Sequence, residues 1–293
     1  MKQLWISNSY GKINLGLNVL ERLENGYHNI ESGFCFIELS DRFEVVPASR
    51  NSLTMSNPDI PIDESNLIIK AVQLLENEAG LKDRFHIHVQ KNIPVGAGLG
   101  GGSSNAATTL RMLNKIANLG LSQDNLLEFG KQLGSDVPFF IKGVPGFATG
   151  TGTEIEELDI QPDTFIVTCF PDVYISTKEA YELVIPNPEP DFSLRNVLTE
   201  EDIEEWQLLL LNDLELVVFP SQELVGNVKD QFYEFGASYA SMSGSGSSVF
   251  GLFKQEFVAI HAYDSFHKLG FLANLTRPSF KPDLGVYIKE TGY

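Results

Sequence analysis

Between Ile93 and Thr108 the chain reads IPVGAGLGGGSSNAAT, five glycines and two serines ahead of a run with helical spacing. Clustered glycines take positive φ without a Cβ clash and let backbone N–H groups approach a ligand closely. A helix starting directly behind them adds its unpaired N–H groups and the positive end of its dipole. Ser103 and Ser104 stand where an N-cap hydroxyl would bond the first turn, or would reach a phosphate or its Mg²⁺. These residue types suit a triphosphate tail, although the run taken alone is equally a mobile loop that caps a helix.

Phosphate-binding patterns of other kinds fit less well. The Walker loop needs a Gly-Lys-Ser/Thr ending, and neither GKS nor GKT occurs in the chain. Gly96, Gly98 and Gly101 nominally meet the dinucleotide fingerprint, but Lys-Asn-Ile-Pro-Val separates them from the preceding strand, where the fingerprint runs straight off it. The companion segments of a protein-kinase glycine loop are absent.

Other residues carry chemistry more quietly. Lys12 and Asn14 share one face of a strand, opposite Ile13 and Leu15; a lone strand lysine is ordinarily a solvated edge residue. Asp136, in LGSDVPFF, enters an apolar segment, which is unusual for a carboxylate unless it is paired or working; the plain alternative is a turn aspartate. SMSGSGSSVFG, residues 241–251, is a second small-residue turn before an apolar run. His86 and His88 have a spacing a metal could use, but with no third ligand in view they read as a solvated strand face.

The elements that must position these groups are legible in outline. KINLGLNV alternates as a half-buried strand, followed by a turn at Asn25-Gly26. Further strands are expected at 33–39, 43–46 and 85–90, and helices after Ser65 (closed by Gly80), over 105–118 and after Ser122. The Gly/Thr-rich stretch around 146–163 is the best candidate boundary between two α+β halves, 1–155 and 156–293. Past it come a strand at 164–170, a Pro-rich loop and an acidic helix.

The 293 residues suit two domains, and 43% hydrophobic composition supplies a real core. A net charge of −18 disfavours nucleic acid or an anionic membrane surface as the main partner. Cys35 and Cys169 read as buried free thiols; with no long apolar run or signal-peptide pattern, a cytoplasmic setting is expected.

Together, GKINLGLNV with NGYHNI, IPVGAGLGGGSSNAATTL, LGSDVPFFIKG, NDLE and MSGSGSSVFG resemble the GHMP kinases in register from about residue 10 to 251. The triple glycine, the Gly-Tyr-His and the SDVPFF set the chain apart from the mevalonate and homoserine branches. The resemblance implies a two-domain α+β fold with the active site in the cleft between the domains. It implies ATP as co-substrate with Mg²⁺, and a small alcohol with a cytidine diphosphate handle, on the non-mevalonate route to isoprenoid precursors. Asp136 would take the alcohol's proton and Lys12 would hold that carboxylate ionised. Pro94, Gly96, Ala97, Gly98, Leu99, Gly100, Gly101, Gly102, Ser103 and Ser104 would bind ATP, with Ser104 the protein contact to Mg²⁺. Asn14, Tyr27, His28 and Tyr181 would recognise the cytosine. Two alternatives stay open: another acceptor alcohol of mevalonate, homoserine or sugar type, and an inactive relative that only binds. The chain departs from the family pattern at Gly11 (usually Ala), Asn25 (usually Asp) and Asn105 (usually Asp), and its tail, 272–293, matches nothing in it.

Overall fold

The alternation from Lys12 to Val19 is the middle of a much longer strand, β1, Lys2–Arg22. In the computed structural model, which describes residues 2–291, the chain turns at Asn25-Gly26, with Gly26 at φ 84°, and returns as β2, His28–Pro47. The two strands expected in this return are one. Asp41, in the gap between them, stays in the strand because its buried carboxylate accepts the N–H groups of Asn92 and Ile93, each at 2.8 Å.

After β3 (Ser52–Met55) and α1 (Leu67–Ala79) comes β4, Phe85–Gln90, at its expected bounds. Helices α2 (Gly101–Ile116), α3 (Gln123–Leu133) and α4 (Val137–Lys142) follow, then a hairpin of β5 (Gly146–Thr149) and β6 (Glu154–Glu157). The Gly/Thr-rich stretch is thus paired structure, and the crossing to the next sheet falls at 158–164. The remaining elements are β7 (Phe165–Phe170), five helices α5 (Thr177–Leu183), α6 (Leu194–Glu200), α7 (Trp206–Leu209), α8 (Glu215–Val218) and α9 (Glu223–Glu234), then β8 (Tyr239–Met242), β9 (Val249–Phe253), α10 (Glu256–Lys268), β10 (Leu272–Thr276) and β11 (Tyr287–Thr291).

One sheet runs β11-β1-β2-β4-β3, with β5 on another stretch of β2 and β6 beyond it; the second runs β10-β7-β9-β8. Helices α1 to α4 cover the first sheet through Phe34, Phe36, Phe139 and Phe140, and α9 and α10 cover the second through Phe232 and Phe266. A third apolar cluster joins the two sheets, Ile13, Leu15 and Ile37 meeting Ile166, Phe250 and Leu252. The α+β, two-domain expectation is therefore met. Helix α10 and its fellows include none long and apolar enough to cross a membrane, among the described residues.

The half-buried reading of β1 is not met: residues 11–19 are buried on both faces. The polar face that alternation assigns to water instead faces the groups of the site, and the second half of the chain packs over it. Two helix starts also differ. Asn66, not Ser65, caps α1, accepting from Ile68 N at 2.9 Å, while the Ser65 hydroxyl is drawn to Asp63 at 2.6 Å. Helix α2 starts at Gly101, inside the glycine run, so Ser103 and Ser104 lie within its first turn and Gly100, at φ 69°, takes the cap. Ser122 caps α3 as expected, in a reciprocal box with Asn125. Both cysteines are free and buried, and burial pushes both thiols far above their ordinary range.

Candidate active site

The strand β1 loses register with β2 between Tyr10 and Lys12 and again between Asn14 and Leu17. Such bulges re-aim side chains next to functional sites, and these two bracket Lys12 and Asn14. Lys12 is 4% exposed. Its ammonium donates to Asn14 Oδ1 at 2.6 Å, lies 3.4 Å from Asp136 Oδ2 and sits 4.4 Å from the centre of the Phe34 ring. A buried ammonium is tolerated only when paired and hydrogen-bonded, and these partners satisfy that condition. Asp136 is 30% exposed on its side chain, so the pair stands at the edge of solvent with the carboxylate outward. The second Asn14 contact, Nδ2 to Ser32 Oγ at 2.8 Å, fixes which end of its amide faces the lysine.

The glycine run is tied to this pair through the backbone. Lys12 N donates to Leu99 O at 3.0 Å. Gly96, Gly98 and Gly100 all have φ between 67° and 76°, the left-handed region glycine tolerates best. At Gly98 the need is also steric, since a Cβ would fall 2.0 Å from Ser243 O. Ser243 belongs to the second small-residue turn; its hydroxyl donates to Gly98 O at 2.9 Å and accepts Asn14 N at 3.3 Å. Asn212, in the NDLE segment, steadies that turn by donating to Met242 O and Gly244 O, both at 2.8 Å. The two halves of the chain thus meet on the loop.

A cavity of about 380 Å³ opens over the loop, lined by residues 94–103 in unbroken sequence and by an apolar side that includes Met55, Ile60 and Leu67. Ser103 lines it. Ser104 does not: its hydroxyl is buried and accepts from Ser9 Oγ at 2.7 Å. Lys91 and Asn66 also line the cavity, and neither was singled out from sequence. Lys91 bonds Asp41 Oδ2 at 2.6 Å and Ile93 O at 2.8 Å; burial pulls its pKa down against the opposing effect of Asp41. The available signal was a lysine placed directly before the loop, in QKNIP.

His28 and Tyr181 come together, their ring centres 5.3 Å apart. Burial and the nearby Arg22 charge hold the His28 pKa below its ordinary value, leaving a neutral imidazole with one donor and one acceptor. Burial, then the Asp136 charge, push the Tyr181 phenol well up, which places that ring within the field of the carboxylate. Tyr27 stands apart, 61% exposed on the turn. His86 and His88 bond Ser52 and Thr54 on the far strands, and no group of three or more His, Cys, Asp or Glu among the described residues could hold a metal ion.

The three departures are accommodated locally. A methyl at Gly11 would meet Ile37 Cδ1 at 3.2 Å, a tight fit. Asn25 Oδ1 accepts Tyr27 N at 3.0 Å, which an aspartate would also do. Asn105 Nδ2 donates to Asp41 Oδ2 at 2.8 Å, where a carboxylate would face a carboxylate.

A buried lysine beside a carboxylate is thus backed by a glycine loop at a helix start and closed by a turn from a second sheet. Residues 66–144 match the family model of the GHMP kinases N-terminal domain and residues 194–270 that of the C-terminal domain, and the chain belongs to this family. It is 44% identical to the 4-diphosphocytidyl-2-C-methyl-D-erythritol kinase of Parabacteroides distasonis, over 83% of this chain and 90% of that one. Against the kinase of the same name from Chloroherpeton thalassium it is 38% identical, over 94% and 98%. The crystal structure of a 4-(cytidine 5'-diphospho)-2C-methyl-D-erythritol kinase superposes with a TM-score of 0.79 at 31% identity, covering 92% of this chain and 98% of that one. A homoserine kinase from Cytophaga hutchinsonii superposes at 0.64 with 16% identity over 98% and 97%, a likeness of fold alone.

Proposed function

We propose that this chain transfers the γ-phosphoryl group of ATP to the 2-hydroxyl of 4-diphosphocytidyl-2-C-methyl-D-erythritol, leaving the diphosphate intact. The observation that carries the reading is the Lys12–Asp136 contact of 3.4 Å on a lysine whose own backbone bonds the glycine loop. An alcohol is a poor nucleophile at neutral pH, so a carboxylate within reach must accept its proton as the O–P bond forms; Asp136 is that base. The ammonium of Lys12 keeps Asp136 ionised and favours negative charge developing on the oxygen. ADP leaves as the γ-phosphorus–oxygen bond to the β-phosphate breaks.

The loop amides from Gly98 to Ser103 and the first turn of α2 cradle the phosphates, and the apolar side of the cavity takes the adenine. The amide N–H groups of the loop cannot ligate a cation, so Mg²⁺ would arrive on the nucleotide's own oxygens, and the Ser103 hydroxyl would be a protein oxygen available to hold it. When bound, Mg²⁺ neutralises charge on the transferring phosphate. Neutral His28 bonds the cytosine edge with Asn14 nearby, and Tyr181 and the exposed Tyr27 offer ring faces for stacking. The two domains, divided in the crossing at 158–164, meet at this cleft, and the reading puts the reaction in the cytoplasm, where ATP is available.

The test is ADP release from MgATP with this alcohol, against mevalonate and homoserine as controls. Turnover confined to the cytidine-bearing alcohol supports the reading. Turnover with a control alone overturns the substrate assignment.

A further inference from the structure

Arg111 lies on α2, about 15 Å along the axis from Gly101 at the rise of an α-helix. Burial brings the pKa of its guanidinium down to about 10. It spends its donors elsewhere: one Nη on Phe140 O, the other on Thr108 Oγ1 at 3.1 Å. Phe140 belongs to α4, the short helix that opens directly after Asp136. Its carbonyl is among those at the helix C-terminus that lack an intrahelical donor, where a cation also meets the negative end of the dipole.

The ring of Phe140 makes a second attachment. A Cβ on Gly100 would lie 2.7 Å from Phe140 Cζ and 3.2 Å from Lys12 Cγ, so ring, loop and lysine are packed in one place. The same ring meets Phe36 and Phe139 edge-on, at 5.9 Å and 5.1 Å between centres. Helix α4 is therefore fastened to α2 and its loop twice, by its backbone to Arg111 and by its ring against Gly100. One rigid helix carries the phosphate loop at its first turn and, further along, holds the element at whose start Asp136 stands.

We propose that Arg111 and Phe140 are positioning residues that fix Asp136 relative to the phosphate cradle. This rests on the reading of Asp136 as the base. A charge retained only for packing is replaceable by an apolar side chain of similar length; a positioning role makes that replacement cost turnover, because a displacement of about 1 Å costs roughly a hundredfold in rate.

The experiment is steady-state kinetics of Arg111→Met with MgATP and the cytidine-bearing alcohol. The expected result is a fall in kcat of roughly 10- to 100-fold with both KM values within about twofold, and recovery of most of that loss in Arg111→Lys. In an Asp136→Asn background, Arg111→Met is expected to lower kcat no further, because both changes act on the same group. Unchanged kcat in Arg111→Met, raised KM values without a fall in kcat, or full additivity with Asp136→Asn would each overturn the proposal. Should Arg111→Met not fold, Phe140→Leu carries the same expectation, and normal kcat there overturns it. Asp136→Asn alone separates the two readings. Near-normal turnover removes the base and this proposal together, whereas lost turnover beside normal Arg111→Met and Phe140→Leu removes only the positioning role.

Discussion

Asp136 faces the cleft while Lys12 is sealed behind it, and the two substitutions are expected to act differently. Asp136→Asn keeps the size of the side chain and removes the proton acceptor, so turnover falls by roughly 10²–10⁴-fold while the fold and ATP binding persist, with some loss of thermal stability because the buried Lys12 ammonium loses its ionic partner; calorimetric titration with ATP and a turnover assay check both halves. Lys12→Met leaves Asn14 Oδ1 without its 2.6 Å donor and is expected to lower kcat more than it raises KM for the cytidine substrate. An unchanged kcat with a raised KM would place Lys12 in binding instead. His28 gives the pH dependence its sign. Its pKa is held below the ordinary 6.5, so the folded imidazole stays neutral as pH falls to that point while the unfolded chain begins to take up a proton. Stability from this group is complete above 6.5, and below it declines until the folded pKa is passed. The KM for the cytidine substrate follows the folded imidazole instead: it should stay flat through pH 6.5 and rise only as pH falls through the lowered folded value, and His28→Asn should abolish that acid arm. Lys12, Asp136 and His28 were legible in the sequence because they stand beside recognisable neighbours. Lys91 and Arg111 were not, since a lysine at a strand end and an arginine inside a helix look the same whether solvated or buried.

At the scale of elements, the glycine loop is shaped by a meeting of two segments 145 residues apart. Gly98→Ala tests this. A Cβ there lies 2.0 Å from Ser243 O at a φ of 76°, so either the loop or the second turn must move. The expected outcome is a rise of about tenfold or more in KM for ATP, together with a loss of stability larger than the about 1–2 kcal/mol of backbone strain alone, because the clash is with backbone. An unchanged KM would mean that the turn does not shape the cradle. Local chemistry made some elements readable: the Ser122 cap and its box, the Asn25-Gly26 turn and the bounds of β4 all follow from nearest neighbours. The start of α2 did not, because three glycines in succession have low helix propensity and only the tight packing of Gly101 against Lys91 and Ile93 makes them the right residues for a first turn. The long β2 was split for a similar reason, its Asp41 being stabilised by partners fifty residues away.

For the whole molecule, alternation in β1 predicted one wet face, yet Lys12 and Asn14 on it are buried against Asp136, Ser32 and the turn at Ser243, while the second sheet meets the apolar face at Ile13 and Leu15; a period of two reports a pleat and says nothing of what packs on either side. The tail was unreadable in the sequence and turns out to return to the first sheet, β11 pairing with β1. On the way Phe280 meets Tyr10 with ring centres 5.3 Å apart, and Leu284 covers Gly143. Truncation after Thr276 is expected to lower the thermal midpoint by about 5–10 °C, from roughly 2–3 kcal/mol of lost apolar burial, and to leave KM for ATP within about twofold; an unchanged midpoint would show that the strap contributes nothing. The account as a whole turns on what leaves the cleft. Incubated with MgATP and 4-diphosphocytidyl-2-C-methyl-D-erythritol, the protein should produce a new phosphomonoester resonance in the phosphorus spectrum while the diphosphate signals of the substrate persist. Loss of the diphosphate signals, or ATP bound with no new phosphomonoester, would contradict it.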